Sequence, residues 1–379
     1  MDEFNEMLED WLLSSGIVIN DSENENFGGV HAYYDSQNHE YGFLYPEITG
    51  YFLSMLRFLH ERNPNEKYTS LAKISGNWII KILEKYGGII QGISKDKTKL
   101  DLVYSFDTAI CAKGLLDCFM ITKEEKFFNQ GKKLCNWIID EALESDGTIK
   151  PVKNLKNQKF EEDDKYWYKQ KGCLHIKTIM PLLQIYQMTK EEKFLNSAEL
   201  IINTAPLFQN DDGSIILHQK NQTIHLHSLC YTIEGLLFAY GVTKDENLLQ
   251  ICDNAIEWCC QKILDDGSIL LWFNSNFQQA KTSYHISQLM RIMLLIDKIQ
   301  STNKYSKYTE KLFKFLKTFQ SEDNDRRING GLYEEYYKSL TGWKKRKRVN
   351  SWGSMFALQG IIWFNERDSL ESNWIDFLY

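Results

Sequence analysis

The chain has 379 residues, 43% of them hydrophobic and 25% charged, with only 5 prolines; this excludes a disordered or collagen-like chain and allows a large core without metals or disulfides. A formal charge of −7 gives no electrostatic support to nucleic-acid binding, and no apolar run reaches the ~18–20 residues that span a bilayer. The eight cysteines, at 111, 118, 135, 173, 230, 252, 259 and 260, form no CxxC pair and read as reduced, buried thiols; the acidic opening segment is not expected to be a signal peptide, so the expected location is the cytoplasm.

Two kinds of helix alternate along the chain. Residues 3–14 place Phe4, Met7, Leu8, Trp11 and Leu12 on one face and predict an amphipathic helix. Residues 47–59 are apolar nearly all round. Segment 66–85 is amphipathic again. Residues 107–120 are apolar, with only Lys113 and Asp117 charged after Asp107. The alternation continues through 124–143 (amphipathic), 175–188 (apolar) and 191–205 (amphipathic). Residues 227–240 are apolar except for Glu234, and 245–263 carry Leu248, Leu249, Cys252, Ala255, Ile256, Cys259 and Ile263 on one side. Apolar 285–297 precedes amphipathic 305–320, and 354–364 has no charge at all.

A glycine with a small or β-branched neighbour punctuates each unit, at Gly29, Gly88, Gly147, Gly213, Gly267 and Gly331. Three of these follow aspartate, in turns that need a positive φ. A polar element also repeats: Thr122-Lys-Glu-Glu-Lys-Phe127, Thr189-Lys-Glu-Glu-Lys-Phe194 and Thr243-Lys-Asp-Glu-Asn-Leu248. It reads as a helix start with acids in the first turn.

A helix apolar on all sides is buried on all sides. Six such helices alternating with six amphipathic ones predict an all-α, (α/α)6 toroid of twelve main helices in two concentric rings. It forms one domain over 1–379, with 3–14 closing the circle beside the last inner helix. The competing architecture is an open α-solenoid.

In such a ring the inner helices run the same way, so the loops before them share one face. Those loops hold His31, Tyr33, Tyr34 and His39, then Tyr45 and Glu47, Tyr104 and Asp107, Trp167 and Tyr168, His175, His225 and His227, Tyr284 and His285, and Trp352. Six of the eight histidines fall in this set. Aromatic faces stack on sugars, and His and carboxyl groups supply acid–base chemistry. Each also has a plainer reading. Pro46-Glu47 fits an ordinary helix start, and Asp107 fits an N-cap. His225-x-His227 fits half a metal site, but no Cys or carboxylate at fixed spacing completes it. No metal or cofactor is therefore expected. Glu234, deep in an inner helix, is expected either to be buried with a partner or to stand in the cavity. The dense basic run Lys344-Lys-Arg-Lys-Arg348 precedes the last inner helix. It reads either as a solvated loop or as a positive rim, with Arg346 and Arg348, for an acid-bearing substrate.

The run Gly28-Gly-Val-His-Ala-Tyr33, followed by Tyr45-Pro-Glu-Ile-Thr-Gly-Tyr51, resembles the opening of six-hairpin glycosidase-like proteins associated with bacterial and archaeal polysaccharide-assembly genes. His227–Leu237 and Asn350-Ser-Trp352 resemble that family's fourth and last inner helices. Asp107, where a neutral residue is expected, and Tyr284-His285 depart from it. The resemblance implies a toroid and carbohydrate chemistry. The expected function is a glycoside hydrolase-like enzyme acting on an oligo- or polysaccharide. Glu47 and Asp107 are its paired carboxylates, and His175, His227 and Tyr284 are acid–base or binding partners. His31, Tyr34, Tyr45, Tyr104, His225, His285, Trp352, Arg346 and Arg348 are the expected substrate-binding residues. A lyase or uronate C5-epimerase using Tyr and His, and a non-catalytic glycan-binding protein, are the alternatives. Oligomeric state is not legible.

Overall fold

The computed structural model describes residues 3–93, 100–368 and 374–379. Among these, the first six α-helices are α1 (Glu3–Ser14), α2 (Pro46–Arg62), α3 (Glu66–Tyr86), α4 (Ser105–Thr122), α5 (Glu125–Trp137) and α6 (Ile179–Thr189). The other six are α7 (Glu192–Ile202), α8 (Leu226–Thr243), α9 (Glu246–Lys262), α10 (Ser283–Gln300), α11 (Ser306–Lys317) and α12 (Ser351–Asn365). The even-numbered helices form a closed inner ring: each packs on the next, and α12 packs back on α2. The odd-numbered helices surround it, with α1 against α12. This is the (α/α)6 toroid expected from the alternation, and the contact between α12 and α2 excludes an open solenoid.

The repeated Thr-Lys-acid element is the hinge between the rings rather than a helix start alone. The hydroxyls of Thr122, Thr189 and Thr243 donate to carbonyls one turn back, on Cys118, Ile185 and Ala239. Lys123, Lys190 and Lys244 follow in the left-handed conformation, φ 58–59°, and each caps an inner helix through its N–H. The chain is thereby turned into the outer helix within three residues.

At Gly147, Gly213 and Gly267, the three Asp-Gly turns, φ is 84–87°. A Cβ on any of these would lie within 2.2–2.5 Å of a backbone carbonyl oxygen of the neighbouring outer helix. The repeated glycine therefore serves both the turn and the close approach.

Two features differ from expectation. Residues 173–178 wind as a 3-10 helix before α6 begins, because Pro181 has no N–H to give and its ring excludes a helical bond to the Lys177 carbonyl. The loops on the inner-helix N-terminal face also pair into small antiparallel sheets. Strands 102–104, 280–282 and 348–350 run directly into α4, α10 and α12. The basic run is part of this arrangement: Gly342–Lys345 pairs with Glu335–Ser339, and Arg348–Asn350 pairs with Tyr33–Asp35. It is neither a free loop nor a single patch.

Gly50 and Gly114 let α2 and α4 touch. A Cβ at Gly114 would sit 2.6 Å from the Gly50 carbonyl oxygen, and one at Gly50 would sit 2.7 Å from that of Ile110. Gly114→Ala is expected to cost about 1–3 kcal/mol, as overpacking does. A wild-type midpoint in urea would show that the two helices can part freely.

Candidate functional site

The inner helices present one stripe each to the toroid axis, at spacings of four and three residues. His227, Tyr231 and Glu234 follow one another on α8, Tyr284, Gln288 and Arg291 on α10, and Trp352, Phe356 and Gln359 on α12. This spacing keeps a residue on the same helical face, so the axis is built in layers. The upper layer, at the loop face, carries the candidate chemistry. The layer below it is a buried ionic network.

In the upper layer, Glu47 and Asp107 start α2 and α4 and are both buried. Burial raises the Glu47 carboxyl to about 7, opposed by the Tyr45 hydroxyl hydrogen-bonded to it and by the positive charge of Lys177. Burial likewise lifts Asp107 well above the usual carboxylate range, and the charge of Glu47 adds to the rise. The two carboxyls therefore feel each other. Asp107 Oδ2 has no hydrogen-bond partner among the described residues. The N-cap reading of Asp107 does not hold: Tyr104 occupies the cap position, and Asp107 lies inside the first turn. Tyr104 is buried and coupled electrostatically to Asp107.

An aromatic wall runs from this pair across the N-terminal face of the inner helices. Ring centroids lie 6.1 Å apart for Tyr104 and Tyr168, 5.6 Å for Trp167 and Tyr168, and 6.0 Å for Trp167 and His227. They lie 4.6 Å apart for His227 and Tyr284, and 5.7 Å for Tyr284 and Trp352. Tyr231, 4.2 Å from His227, joins this wall to Glu47, whose charge raises its hydroxyl after burial does. The structure thus brings Tyr45, Glu47, Tyr104, Asp107, His227, Tyr284 and Trp352 into one connected cluster.

Other expected residues are used differently. His175 bonds the Gln170 carbonyl through Nε2 at 3.1 Å and stands edge-on to Phe106, on the side of Ile201 of α7 and Thr204 just beyond it. The 3-10 winding is the reason, since it turns Lys177 rather than His175 toward the axis. Both ring nitrogens of His285 are engaged, by Thr282 Oγ1 at 2.5 Å and the Ile269 carbonyl at 3.1 Å. This leaves His285 as a fastening for the start of α10. His225 is stacked on Trp272 at 4.1 Å and bonded to Ser228, which makes it a support for Trp167.

His31 bonds the Gly42 carbonyl and stacks on Tyr41. It lines a separate open groove of about 790 Å³ with Lys67 and Arg326. Tyr34, fully buried, packs edge-on against Tyr41, with Arg327 over its ring. The basic run is divided because it passes from one small sheet to the next. Arg346 pairs with Glu335 at 2.6 Å. Arg348 covers Tyr33 beside Asp35, and Lys345 bonds the Thr318 carbonyl.

Sequence reasoning missed Lys177, Tyr231, Arg291 and Glu334. Glu234 is fully buried and accepts from Lys177 Nζ at 2.6 Å and Arg291 Nη2 at 2.5 Å. Arg291 also donates to Gln359 at 2.7 Å and to the Tyr379 carbonyl. Of the two places expected for Glu234, the structure shows the buried, partnered one. A lone cation on an otherwise apolar inner helix was the available signal for Lys177 and Arg291. Glu334, between the short strand Leu332–Tyr333 and the basic hairpin, is raised to about 7 by burial and then by Glu335. Its Oε2 has no partner among the described residues, and its charge reaches Tyr284. No group of three or more His, Cys, Asp or Glu side chains that could hold a metal occurs among the described residues. No helix among them is long and apolar enough to cross a membrane.

No family model matches the chain, and no curated protein matches it in sequence. Solved structures match over almost its whole length. A cellobiose 2-epimerase from Bacillus thermoamylovorans B4167 superposes with a TM-score of 0.74 at 14% identity, covering 96% of this chain and 99% of that one. A D-mannose isomerase gives 0.75 at 12% identity, covering 98% of each chain. An unsaturated glucuronyl hydrolase specific for heparin gives 0.72 at 10% identity, covering 97% of each. These neighbours share the six-hairpin (α/α)6 toroid. At such identities the likeness is one of fold.

Proposed function

We propose that this protein is a carbohydrate-active enzyme whose reaction centre is the Glu47–Asp107 carboxyl pair, working as a glycoside hydrolase. The observation that carries this reading is the pair itself: two buried, mutually coupled carboxyls at the mouth of the inner ring, beside a wall of aromatic rings. Their surroundings divide the roles. Glu47 has the Tyr45 hydroxyl and the Lys177 charge to stabilise its anion. Asp107 has no such cation and feels the charge of Glu47. Glu47 therefore ionises first and serves as nucleophile or base, and Asp107 keeps its proton and serves as the acid. The neighbours in fold, named for action on saccharides, agree with the substrate class.

The test is a panel of aryl glycosides and oligosaccharides, with release of a reducing end as the signal and the anomer of the product read by NMR. A second reading, epimerisation or isomerisation, is favoured by one observation: His227 stands between Tyr231 and Tyr284 at the same mouth. Uptake of solvent deuterium at a sugar carbon without bond cleavage would replace the first reading with the second. Binding of oligosaccharides with neither result would leave a glycan-binding protein.

For substrate charge, the pairing of Arg346 with Glu335 and the nearness of Arg348 to Asp35 favour a neutral glycan over the acid-bearing one that the run 344–348 alone favours. In Arg346→Gln/Arg348→Gln, affinities for a neutral and a uronate-bearing oligosaccharide are expected to change alike, within about threefold, at low and physiological salt. A selective loss for the uronate at low salt would restore the acidic substrate.

A further inference from the structure

Below the aromatic wall, one amide connects the buried ionic network to the candidate site. Gln288 on α10 donates through Nε2 to Glu234 Oε2 at 3.0 Å and meets His227 Nδ1 through Oε1. All three side chains are buried. The orientation of a glutamine amide is normally ambiguous, since its oxygen and nitrogen look alike. Here the surroundings fix it. Glu234 lies between Lys177 and Arg291, and a carboxylate held by two cations can only accept. The amide must turn its NH2 toward Glu234, because the reverse would set oxygen against oxygen. Its oxygen then faces His227, and an amide oxygen also only accepts. The hydrogen between Gln288 and His227 therefore belongs to the imidazole, on Nδ1.

The ring is neutral. Burial holds its basicity well below the usual histidine range; the bond to Gln288 works the other way without overcoming it, and the nearby charges of Lys177 and Arg291 oppose a further proton. A neutral imidazole carries one hydrogen. With that hydrogen on Nδ1, Nε2 presents a lone pair, and no side chain or backbone group among the described residues bonds it. Around the ring stand Trp167, Tyr231 and Tyr284, the rings of the proposed sugar-binding wall.

We propose that Gln288 is a positioning residue that locks His227 in the Nδ1–H tautomer, so that Nε2 is left as an acceptor for a saccharide hydroxyl. The chain of command runs from Lys177 and Arg291 to Glu234, from Glu234 to the amide, and from the amide to the imidazole. The role at the saccharide rests on the carbohydrate-active reading. The tautomer does not, and it is measured without substrate.

The experiment is long-range ¹H–¹⁵N NMR of the full chain labelled at histidine. His227 is assigned by the loss of its signals in His227→Asn. Wild-type protein is expected to show His227 Nδ1 at a protonated, pyrrole-like shift and Nε2 at an unprotonated, pyridine-like shift. Gln288→Met keeps the length and removes the amide. It is expected to return His227 to the Nε2–H form that free imidazole prefers, and to raise KM up to about tenfold for an oligosaccharide that the wild type cleaves, through loss of the acceptor. Nε2–H in the wild type, or Nδ1–H retained in Gln288→Met, would overturn the proposal. Should that variant not fold, the wild-type spectrum decides alone. Absence of turnover on every saccharide would count against the carbohydrate-active reading and leave the tautomer result standing.

Discussion

Glu47→Gln is expected to lower turnover by about 10²–10⁴-fold, the range for loss of a positioned acid–base group, while leaving the fold intact. The substitution is isosteric, so the packing at the start of α2 is unchanged. It also removes a charge that the folded protein tolerates poorly. Glu47 is raised to about 7 from an ordinary value of 4.5. Between these values the folded state keeps a proton that the unfolded chain has released, so this group lowers stability as pH rises from about 4.5 to 7. The variant should lack that decline and be at least as stable as wild type at pH 8, measured by urea denaturation.

Activity should depend on pH with the opposite sign on its first limb. The pair titrates as a unit. Ionisation of Glu47 gives a limb that rises through about 7. Loss of the proton from Asp107, which burial and the charge of Glu47 both favour keeping, gives the falling limb. Asp107→Asn is expected to harm substrates with poor leaving groups most, because an activated aryl group needs little protonation. A Glu47→Gln protein with wild-type turnover would remove the carboxyl pair from the reaction.

Most of the ring was legible because its causes are local. The six apolar stretches, the Thr-Lys-acid hinges and the Asp-Gly turns each follow from a few adjacent residues, and the helix bounds fall within a few residues of the apolar periods. Glu47, Asp107, His227 and Tyr284 were legible for a related reason: each sits at the start of an inner helix, and topology alone gathers those starts. The second layer was not. Lys177 and Glu234 are 57 residues apart, as are Glu234 and Arg291, and nothing in their spacing says that they meet. Whether a first-turn residue faces the axis also depends on winding. Pro181 tightens the turn before α6, and His175 gives up its place to Lys177 for that reason. The run 344–348, read as a solvated loop or a positive rim, is neither, because it passes from one sheet to another: Gly342–Lys345 pairs with Glu335–Ser339 and Arg348–Asn350 with Tyr33–Asp35, so Arg346 meets Glu335 and Arg348 lies near Asp35.

Glu234→Leu is expected to destabilise the protein by about 3–5 kcal/mol, the cost of breaking a buried ion pair from one side. Lys177 and Arg291 are fully buried, and the same carboxylate is their shared anion. Leucine fills a similar volume, so the loss is electrostatic rather than a cavity. The remaining contacts of the two cations are mostly aromatic. Lys177 lies 4.5 Å from the Tyr231 ring centroid and Arg291 lies 4.5 Å from that of Phe356, which softens the loss without replacing a full charge. The triple change Lys177→Met, Glu234→Leu and Arg291→Met should recover much of the stability, because no unpaired charge is left.

The network also leaves a signature in pH. Burial lowers Lys177 to about 8 from 10.5, against the raising effect of Glu234. Between about 8 and 10.5 the unfolded chain holds a proton that the folded protein has lost, so stability from this group rises with pH across that window. Lys177→Met should abolish the rise. Urea midpoints of the four proteins at pH 7 and 10 would measure both effects. A triple variant no more stable than Glu234→Leu would mean that the network holds the inner ring together by shape, through Gln288 and Gln359, rather than by balance of charge.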